Sequence, residues 1–473
     1  MKLVCEMNDT IVAQATAGGK AAIAVIRVSG SDTFRVMQKV MLPQDIEKLQ
    51  HRKAVIANLY HPSKGSSQPE FLDQCIVLTF VAPHSYTGED LVEIQCHGGF
   101  VVPHLLAEAL IAAGARYAQA GEFTQRAFLN GKLDLVQAES VEAIVSASSR
   151  SELKLVHHHY SGHFSTEVKR LRSELIDLLS LLELELDFAE EDVEFADREE
   201  ILSRLNSLRD LLSGLFHSYE RSHLVRQGVR VAIVGKPNVG KSSLLNLLLK
   251  KERAIVTDHP GTTRDIIEEA MEIAGLKFVF IDTAGIRSTE DYVESLGIQR
   301  SQSVLANADL VLMLIDHSEQ LKKEDWEIRQ LVLNRKKHSV AQPILLLNKS
   351  DLPCVVHRNE LDSFAKGFSF LQFSSKTAEH LDELESLLVG SVKRRGLDFQ
   401  QDDYALLNVR QKNVVEKALS SVQQAVESFH RNLSQEFVSA ELRVSLGLLG
   451  ELIGDVSNED ILGNIFSNFC IGK

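Results

Sequence analysis

The run Gly235-Lys236-Pro237-Asn238-Val239-Gly240-Lys241-Ser242-Ser243 constrains this chain more than any other stretch. It follows the apolar segment Val229–Val234 and precedes an apolar-periodic segment that reaches Leu249. Strand, glycine loop, helix is the setting in which G-x-x-x-x-G-K-[ST] cradles phosphate. The glycines turn backbone N–H groups inward, and the helix N-terminus adds its own donors. Lys241 is expected to neutralise the β/γ-phosphates, and the Ser242 hydroxyl to ligate Mg²⁺. A chance glycine-rich turn is the competing reading, and the flanking elements argue against it.

The alternation of strands and helices continues around that loop. Strand-like runs at Val229–Val234, Phe278–Ile281, Asp309–Ile315, Pro343–Leu347 and Phe370–Phe373 each end in a polar loop. Ligands sit at the carboxyl ends of such a parallel sheet. Ile267–Ile273 and Lys277–Ile281, around Ala274-Gly275, predict a hairpin that adds an antiparallel edge strand. Three further strings specify guanine. Asp282-Thr283-Ala284-Gly285 ends one strand, offering a carboxylate to the Mg²⁺ sphere and a glycine N–H to the γ-phosphate. Gly261-Thr262-Thr263-Arg264-Asp265 lies between it and the phosphate loop, and Thr263 is the expected metal-ligating threonine of a switch loop. Asn348-Lys349-Ser350-Asp351 ends another strand. Its Asp351 carboxylate can accept from guanine N1–H and the exocyclic amine, donors that adenine lacks at those positions. Ser374, Ser375 and Lys376 follow at the next strand end, where they can close over the base.

At 473 residues the chain exceeds one core, so two or three domains are expected. A net charge of −14 excludes holding nucleic acid by bulk charge, so any RNA contact needs a local basic patch. Five scattered cysteines show no paired metal spacing and suggest a reducing compartment. Met1–Thr10 lacks the shape of a signal peptide, and no apolar run reaches membrane-spanning length, which makes the cytoplasm the expected location.

Residues 1–125 read as mixed α/β, with strands at Ile23–Val28 and Cys75–Val81. A helix is expected over Ser31–Val40, capped by Ser31 or Asp32. In Leu91–His97, Glu93 and Gln95 share one strand face. A solvated face and a ligand contact are equally compatible with that pattern. From Leu133 to Val225 apolar residues recur at helical spacing, and leucine-rich Leu175–Leu186 reads as a buried helix of a bundle. The ten carboxylates in Glu183–Glu200 read as a solvated face and acidic linker rather than a metal site. His157, His158 and His159 are expected at the surface. Helical periodicity resumes over Gln411–Ser428 and Ser439–Leu452, so the nucleotide domain is inserted in one helical bundle.

The position that carries a water-orienting glutamine in small GTPases is Ile286, which cannot do that work. Either an outside activator is needed or another group substitutes, with Arg287, Glu290, Asp291 and Glu294 as candidates. Asn238 offers a carbonyl oxygen inside the phosphate loop, able to help hold a monovalent cation in place of an arginine finger.

The whole length resembles the MnmE (TrmE) family of bacterial tRNA-modification GTPases. The resemblance rests on Asp9–Ala13, Ser85-Tyr86-Thr87-Gly88-Glu89-Asp90, Gly121–Lys132, the nucleotide motifs and the ending Phe469-Cys470-Ile471-Gly472-Lys473. It implies a folate-binding, dimer-forming domain over 1–125, helical parts over 126–226 and 393–473, and a G domain over 227–392. It implies tetrahydrofolate contacts from Arg27, Glu93, Lys132 and Lys473, and a part in the modification chemistry for Cys470. It implies K⁺-dependent dimerisation of the G domains, with K⁺ held by Asn238, Thr257, His259 and Thr262, and Glu294 as the catalytic glutamate. The K⁺ loop Thr257-Asp258-His259-Pro260-Gly261-Thr262 then belongs to the GTP site. The implied reaction adds a carboxymethylaminomethyl group at C5 of the wobble uridine of tRNA, with a MnmG-type partner that uses FAD and NADH. Two rivals are a ribosome-assembly GTPase, which the acidic balance disfavours, and a folate-dependent one-carbon transferase with a regulatory G domain.

Overall fold

The computed structural model describes residues 9–62, 69–187, 197–251, 267–282, 304–334, 342–393, 405–455, 459–467, 469–470 and 472. Contacts divide the chain into two compact units, one of residues 1–145, 157–209 and 414–473, the other of residues 146–156 and 210–413.

In the first unit, β1 (Ile11–Gln14), β2 (Ile23–Ser29), β3 (Ala54–His61), β4 (Glu70–Phe80), β5 (Leu91–His97) and β6 (Arg116–Tyr117) form one sheet in the order β3-β4-β5-β2-β1-β6. Among the described strands of this sheet only the β1–β6 pairing is parallel. A period of two sorts each strand's side chains onto opposite faces. Ile26, Val28, Leu59, Val77, Val92 and Ile94 thereby face a core shared with α1 (Thr33–Val40) and α3 (Val101–Ala112). Arg27 and Glu93, one residue out of phase with that apolar set, lie directly opposite each other in register on the other face. A slip of one residue would bury both charges, so the apolar pattern fixes their placement. The short turn α2 (Pro43–Ile46) and the helix α4 (Glu122–Leu129) complete this part.

The start of α1 departs from expectation. Asp32 occupies the cap position without a side-chain cap bond, because its backbone (φ −98°, ψ 13°) is not the extended one that a capping side chain needs. The Thr33 hydroxyl donates instead to the Gly30 carbonyl at 2.8 Å.

Four helices follow: α5 (Leu135–Ser146), α6 (Arg150–Tyr160), α7 (His163–Asp187) and α8 (Arg198–Gln227). Along α7 the buried residues Val168, Leu171, Leu175, Leu178 and Leu182 keep the three-and-four spacing of a core stripe. The surface assignment of the histidine run is corrected for one member. His159 is buried and stacked on Phe164 at 4.4 Å between ring centroids. The cause is periodicity: Glu152, Leu155, Val156 and His159 form the buried stripe of α6, while His157 stays exposed.

The second unit holds β7 (Val229–Val234), α9 (Lys241–Lys251), β8 (Ile267–Ile273), β9 (Leu276–Asp282), β10 (Leu310–Asp316), α10 (Lys323–Leu333), β11 (Ile344–Asn348), α11 (Arg358–Ala365), β12 (Ser369–Gln372) and α12 (Leu381–Lys393). The sheet order is β12-β11-β10-β7-β9-β8, parallel except for the β8–β9 hairpin. All seven residues of β10 are buried, as a central parallel strand covered on both faces requires. One layer packs Val231, Ile233 and Leu312 against Leu244, Leu384 and Leu388. The other packs Ala232, Val311 and Met313 against Val332 and Phe364. β7 and β8 have the expected limits, and those of the other strands in this sheet differ from expectation by one or two residues.

After it come α13 (Val409–His430), α14 (Gln435–Ile453) and α15 (Glu459–Phe466). In the first unit α7 packs along α14, and Arg443 pairs with Glu183 at 2.6 Å. The chain returning from the nucleotide sheet is bound to the last turns of α8. Ser218 Oγ accepts from Leu406 N at 3.1 Å, and Ser222 and Arg226 donate to the Leu406 and Leu407 carbonyls. The architecture is therefore a mixed α/β N-terminal sheet and a helical domain divided by an inserted P-loop α/β domain. Among the described residues no helix is long and apolar enough to cross a membrane.

Candidate nucleotide site and N-terminal site

The phosphate loop joins β7 to α9. Asn238 and Gly240 adopt left-handed backbone, at φ +61° and +102°. This turns the loop back on itself around Lys241, whose buried ammonium donates to the carbonyls of Gly235 at 2.7 Å and Lys236 at 2.8 Å. Ser242 and Ser243 stand exposed in the first turn of α9, and Asn238 is exposed on the loop. Gly240 has a second reason to be glycine: a Cβ there would lie 2.1 Å from Asn348 Nδ2. Lys236 anchors the loop from behind, its ammonium 3.1 Å from the buried Asp325 of α10.

The base-reading loop ends β11. Buried Asn348 donates from Nδ2 to the Val239 carbonyl at 2.5 Å and accepts at Oδ1 from Ser375 N at 3.0 Å. One side chain thus ties the phosphate loop to both loops expected to hold guanine. Ser374 Oγ donates to Asp351 Oδ1 at 2.8 Å and accepts from the backbone N–H groups of Lys376 and Thr377. The Asp351 carboxylate stands exposed in the loop beyond the carboxyl end of β11, oriented by that serine. β9 ends at Asp282 in register with Ile233 of β7, so the D-x-x-G string starts beside the phosphate loop. Thr257, Asp258, His259, Pro260, Gly261, Thr262, Thr263, Thr283, Ala284, Gly285, Ile286, Glu294 and Lys473 lie outside the described residues.

A second constellation lies on the open face of the first sheet. The Arg27 guanidinium donates to Glu93 Oε1 at 2.8 and 3.1 Å and to the Gly472 carbonyl at 3.5 Å. It lies over the rings of Tyr86 and Phe123, 5.3 and 5.6 Å from their centroids. The Gly472 backbone (φ +95°) fits so closely that a Cβ would meet Gln14 O at 2.4 Å. Lys132 Nζ donates to the Pro83 carbonyl at 3.1 Å, and its stem passes Gly88 in the Ser85–Asp90 loop that follows. Glu93 stands in a partly buried ion pair with Arg27 rather than on a fully solvated face. Cys470 is an exposed free thiol.

A family model described as the GTP-binding protein TrmE N-terminus matches residues 10–132, and one described as the MnmE helical domain matches residues 135–470. The chain belongs to the MnmE family. The tRNA modification GTPase MnmE of Thermoanaerobacter sp. (strain X514) is 38% identical over 468 residues, covering 98% of this chain and 99% of that protein. The protein of that name from Parabacteroides distasonis is 40% identical over 472 residues, covering 98% and 100%. A third, from Christiangramia forsetii, is 39% identical over 478 residues, covering 99% and 100%.

Within the MnmE frame, sequence reasoning missed the groups that hold the N-terminal site in shape. Beneath it lies Arg126, 1% exposed, which bonds Asp9 at 2.7 Å, Glu122 at 2.9 Å and Glu89 at 3.2 Å. Arg116 binds Asp9 and Glu122 from the other side. Asp9, Glu89, Glu122 and Arg126 all occur in strings that carried the resemblance, but a string does not say that its charges meet. Tyr86 and Phe123 gave no signal beyond being aromatic.

The same network sets a pH dependence. Burial pushes the Asp9 and Glu122 carboxyls up, and the bonds from Arg116 and Arg126 outweigh it, leaving both below the ordinary carboxylate range. A carboxyl depressed in the folded state stabilises above its unfolded pKa, and that stability is lost as pH falls through the folded value. The thermal midpoint of the N-terminal domain is expected to be level near neutrality and to fall below about pH 4. Asp9→Asn should flatten that fall in a pH series of melts. An unchanged slope would remove Asp9 from the account.

Proposed function

We propose that this chain binds and hydrolyses GTP through a K⁺-activated, dimerisation-dependent G domain at 227–392, and that hydrolysis serves modification of the wobble uridine of tRNA. The observation that carries the nucleotide part is the Asn348 side chain joining the phosphate loop to the guanine loops. The tRNA part rests on full-length similarity to tRNA modification GTPases.

Motif chemistry assigns the phosphate, guanine and Mg²⁺ residues, and the family resemblance assigns the K⁺, catalytic-glutamate and folate residues and Cys470. Lys241 and the loop N–H groups bind the β/γ-phosphates, Asp351 reads the guanine edge, and Ser374, Ser375 and Lys376 close over it. Ser242, in the first turn of α9, and Thr263 would hold Mg²⁺. Asn238, exposed in the loop beside the phosphate position, would hold K⁺ with Thr257, His259 and Thr262. When bound, these cations supply positive charge at the transferring phosphate. Glu294 positions the attacking water indirectly, in place of the glutamine that Ile286 cannot be. Arg27 and Glu93, with Lys132 and Lys473, form a site for a tetrahydrofolate one-carbon unit in the domain at 1–125. The helical parts at 126–226 and 393–473 bring Cys470 toward that chemistry. The partners are a second copy of this chain, an FAD- and NADH-using MnmG-type protein and tRNA, in the cytoplasm.

Nucleoside mass spectrometry of tRNA from a deletion strain tests the reading. Loss of the C5 carboxymethylaminomethyl group is expected. Unchanged wobble uridines would leave the ribosome-assembly switch or the small-molecule one-carbon transferase in its place. GTP turnover in K⁺ is expected to exceed that in Na⁺ at equal ionic strength by at least about tenfold, and equal rates would remove the cation from the mechanism.

A further inference from the structure

The N-K-S-D loop is held in place by the neighbouring strand end, and the contacts there assign a role to a residue outside every nucleotide motif. β10 and β11 pair in parallel with Asp316 opposite Asn348, so the last residues of both strands lie side by side. The Asp316 carboxylate, 4% exposed, pairs with the Lys349 ammonium. It is itself fixed by Ser318, whose backbone N–H and hydroxyl donate to Oδ1 at 2.9 and 2.6 Å. The next residue, His317, engages the loop's backbone at three points. Its N–H donates to the Asn348 carbonyl at 3.3 Å, its carbonyl accepts from Val355 N at 3.0 Å, and its Nε2 lies 3.2 Å from the Leu352 carbonyl.

Lys349 needs such a tether. It is a non-glycine residue at φ +67°, a conformation that costs free energy and persists only where the surroundings impose it. Both its flanks carry recognition: Asn348 on one side, Asp351 two residues beyond on the other. A charge-assisted bond from a rigid, buried carboxylate can impose the geometry in a way that a solvated lysine cannot.

We propose that Asp316 is a positioning residue of the guanine site, which acts through Lys349 to hold the N-K-S-D loop in its base-binding form before nucleotide arrives. This rests on the chain binding guanine nucleotides, so the first measurement is binding of a fluorescent GDP analogue to the unaltered full-length chain. Absence of binding would overturn the nucleotide reading rather than the role of Asp316. Given binding, Asp316→Asn keeps the shape and removes the charge, and is expected to speed analogue dissociation by about tenfold. Lys349→Met should speed it at least as much. The double variant should match Lys349→Met within a factor of two, because a residue that acts only through another adds nothing once that partner is gone. Multiplying effects in the double variant, or an Asp316→Asn rate within twofold of the parent, would overturn the proposal. Ser318→Ala loosens the same carboxylate without touching its charge. It is expected to give a smaller acceleration, also absent in the Lys349→Met background, and it serves as the test if Asp316→Asn does not fold.

Discussion

Asp351→Asn is expected to convert the nucleotide site from guanine to xanthine, shifting the GTP/XTP preference by about 10³-fold or more. The carboxylate accepts two hydrogen bonds, from N1–H and from the exocyclic amine. Xanthine keeps N1–H but carries a carbonyl where guanine carries the amine. Aspartate therefore faces that carbonyl with a lone pair, and the buried mismatch is what excludes it. An asparagine can accept from N1–H and donate to the carbonyl, so the same two contacts reform with one reversed. The orientation should survive, because Ser374 Oγ donates to Asp351 Oδ1 and an amide oxygen can take that bond equally well. Competition of GTP and XTP for turnover in the variant checks it, and an unchanged ratio would mean that Asp351 does not read the base.

Arg126→Met is expected to destabilise the N-terminal domain by about 3–5 kcal/mol. The side chain is fully buried and satisfies carboxylates from three separate segments, Asp9, Glu89 and Glu122. Methionine fills most of the volume and leaves those carboxylates without their central cation, which is the costly way to break a buried network. Arg116 still pairs with Asp9 and Glu122, so Glu89 is left worst off. The chain's single tryptophan, Trp326, lies in α10 of the nucleotide domain. In urea, Trp326 fluorescence should therefore keep its midpoint while the far-ultraviolet signal gains an early transition. A loss carried equally by both probes would place the damage elsewhere.

The nucleotide domain was the more legible part of the sequence, and the reason is local. A phosphate loop, a hairpin turn and the polar end of a buried strand are each written in under ten consecutive residues, and chain order nearly fixes a parallel sheet. The N-terminal site is the opposite case. Arg27 meets Glu93 from another strand, the rings of Tyr86 and Phe123 from two other segments and the backbone at Gly472; no local pattern announces that meeting, and only the family resemblance groups Arg27 with Glu93 and the chain's last residue. His159 shows the limit on a smaller scale. A run of three histidines looks like surface, but a helix of 3.6 residues per turn sends consecutive members in different directions, and one lands in the core. Asp316 went unread because it looks like the ordinary polar end of a strand. Only the register of β10 against β11 gives it a partner.

The serines and arginine on the last turns of α8 bind residues 406 and 407 beside the point where β7 begins, so the two ends of the nucleotide segment are tied to each other. A module attached by two neighbouring strands of chain can be acquired, exchanged or excised without rethreading its host. In evolutionary terms the nucleotide domain is a cassette. Both of its ends are fastened to each other through α8, so a change of length inside it leaves the path of the chain on either side unaltered.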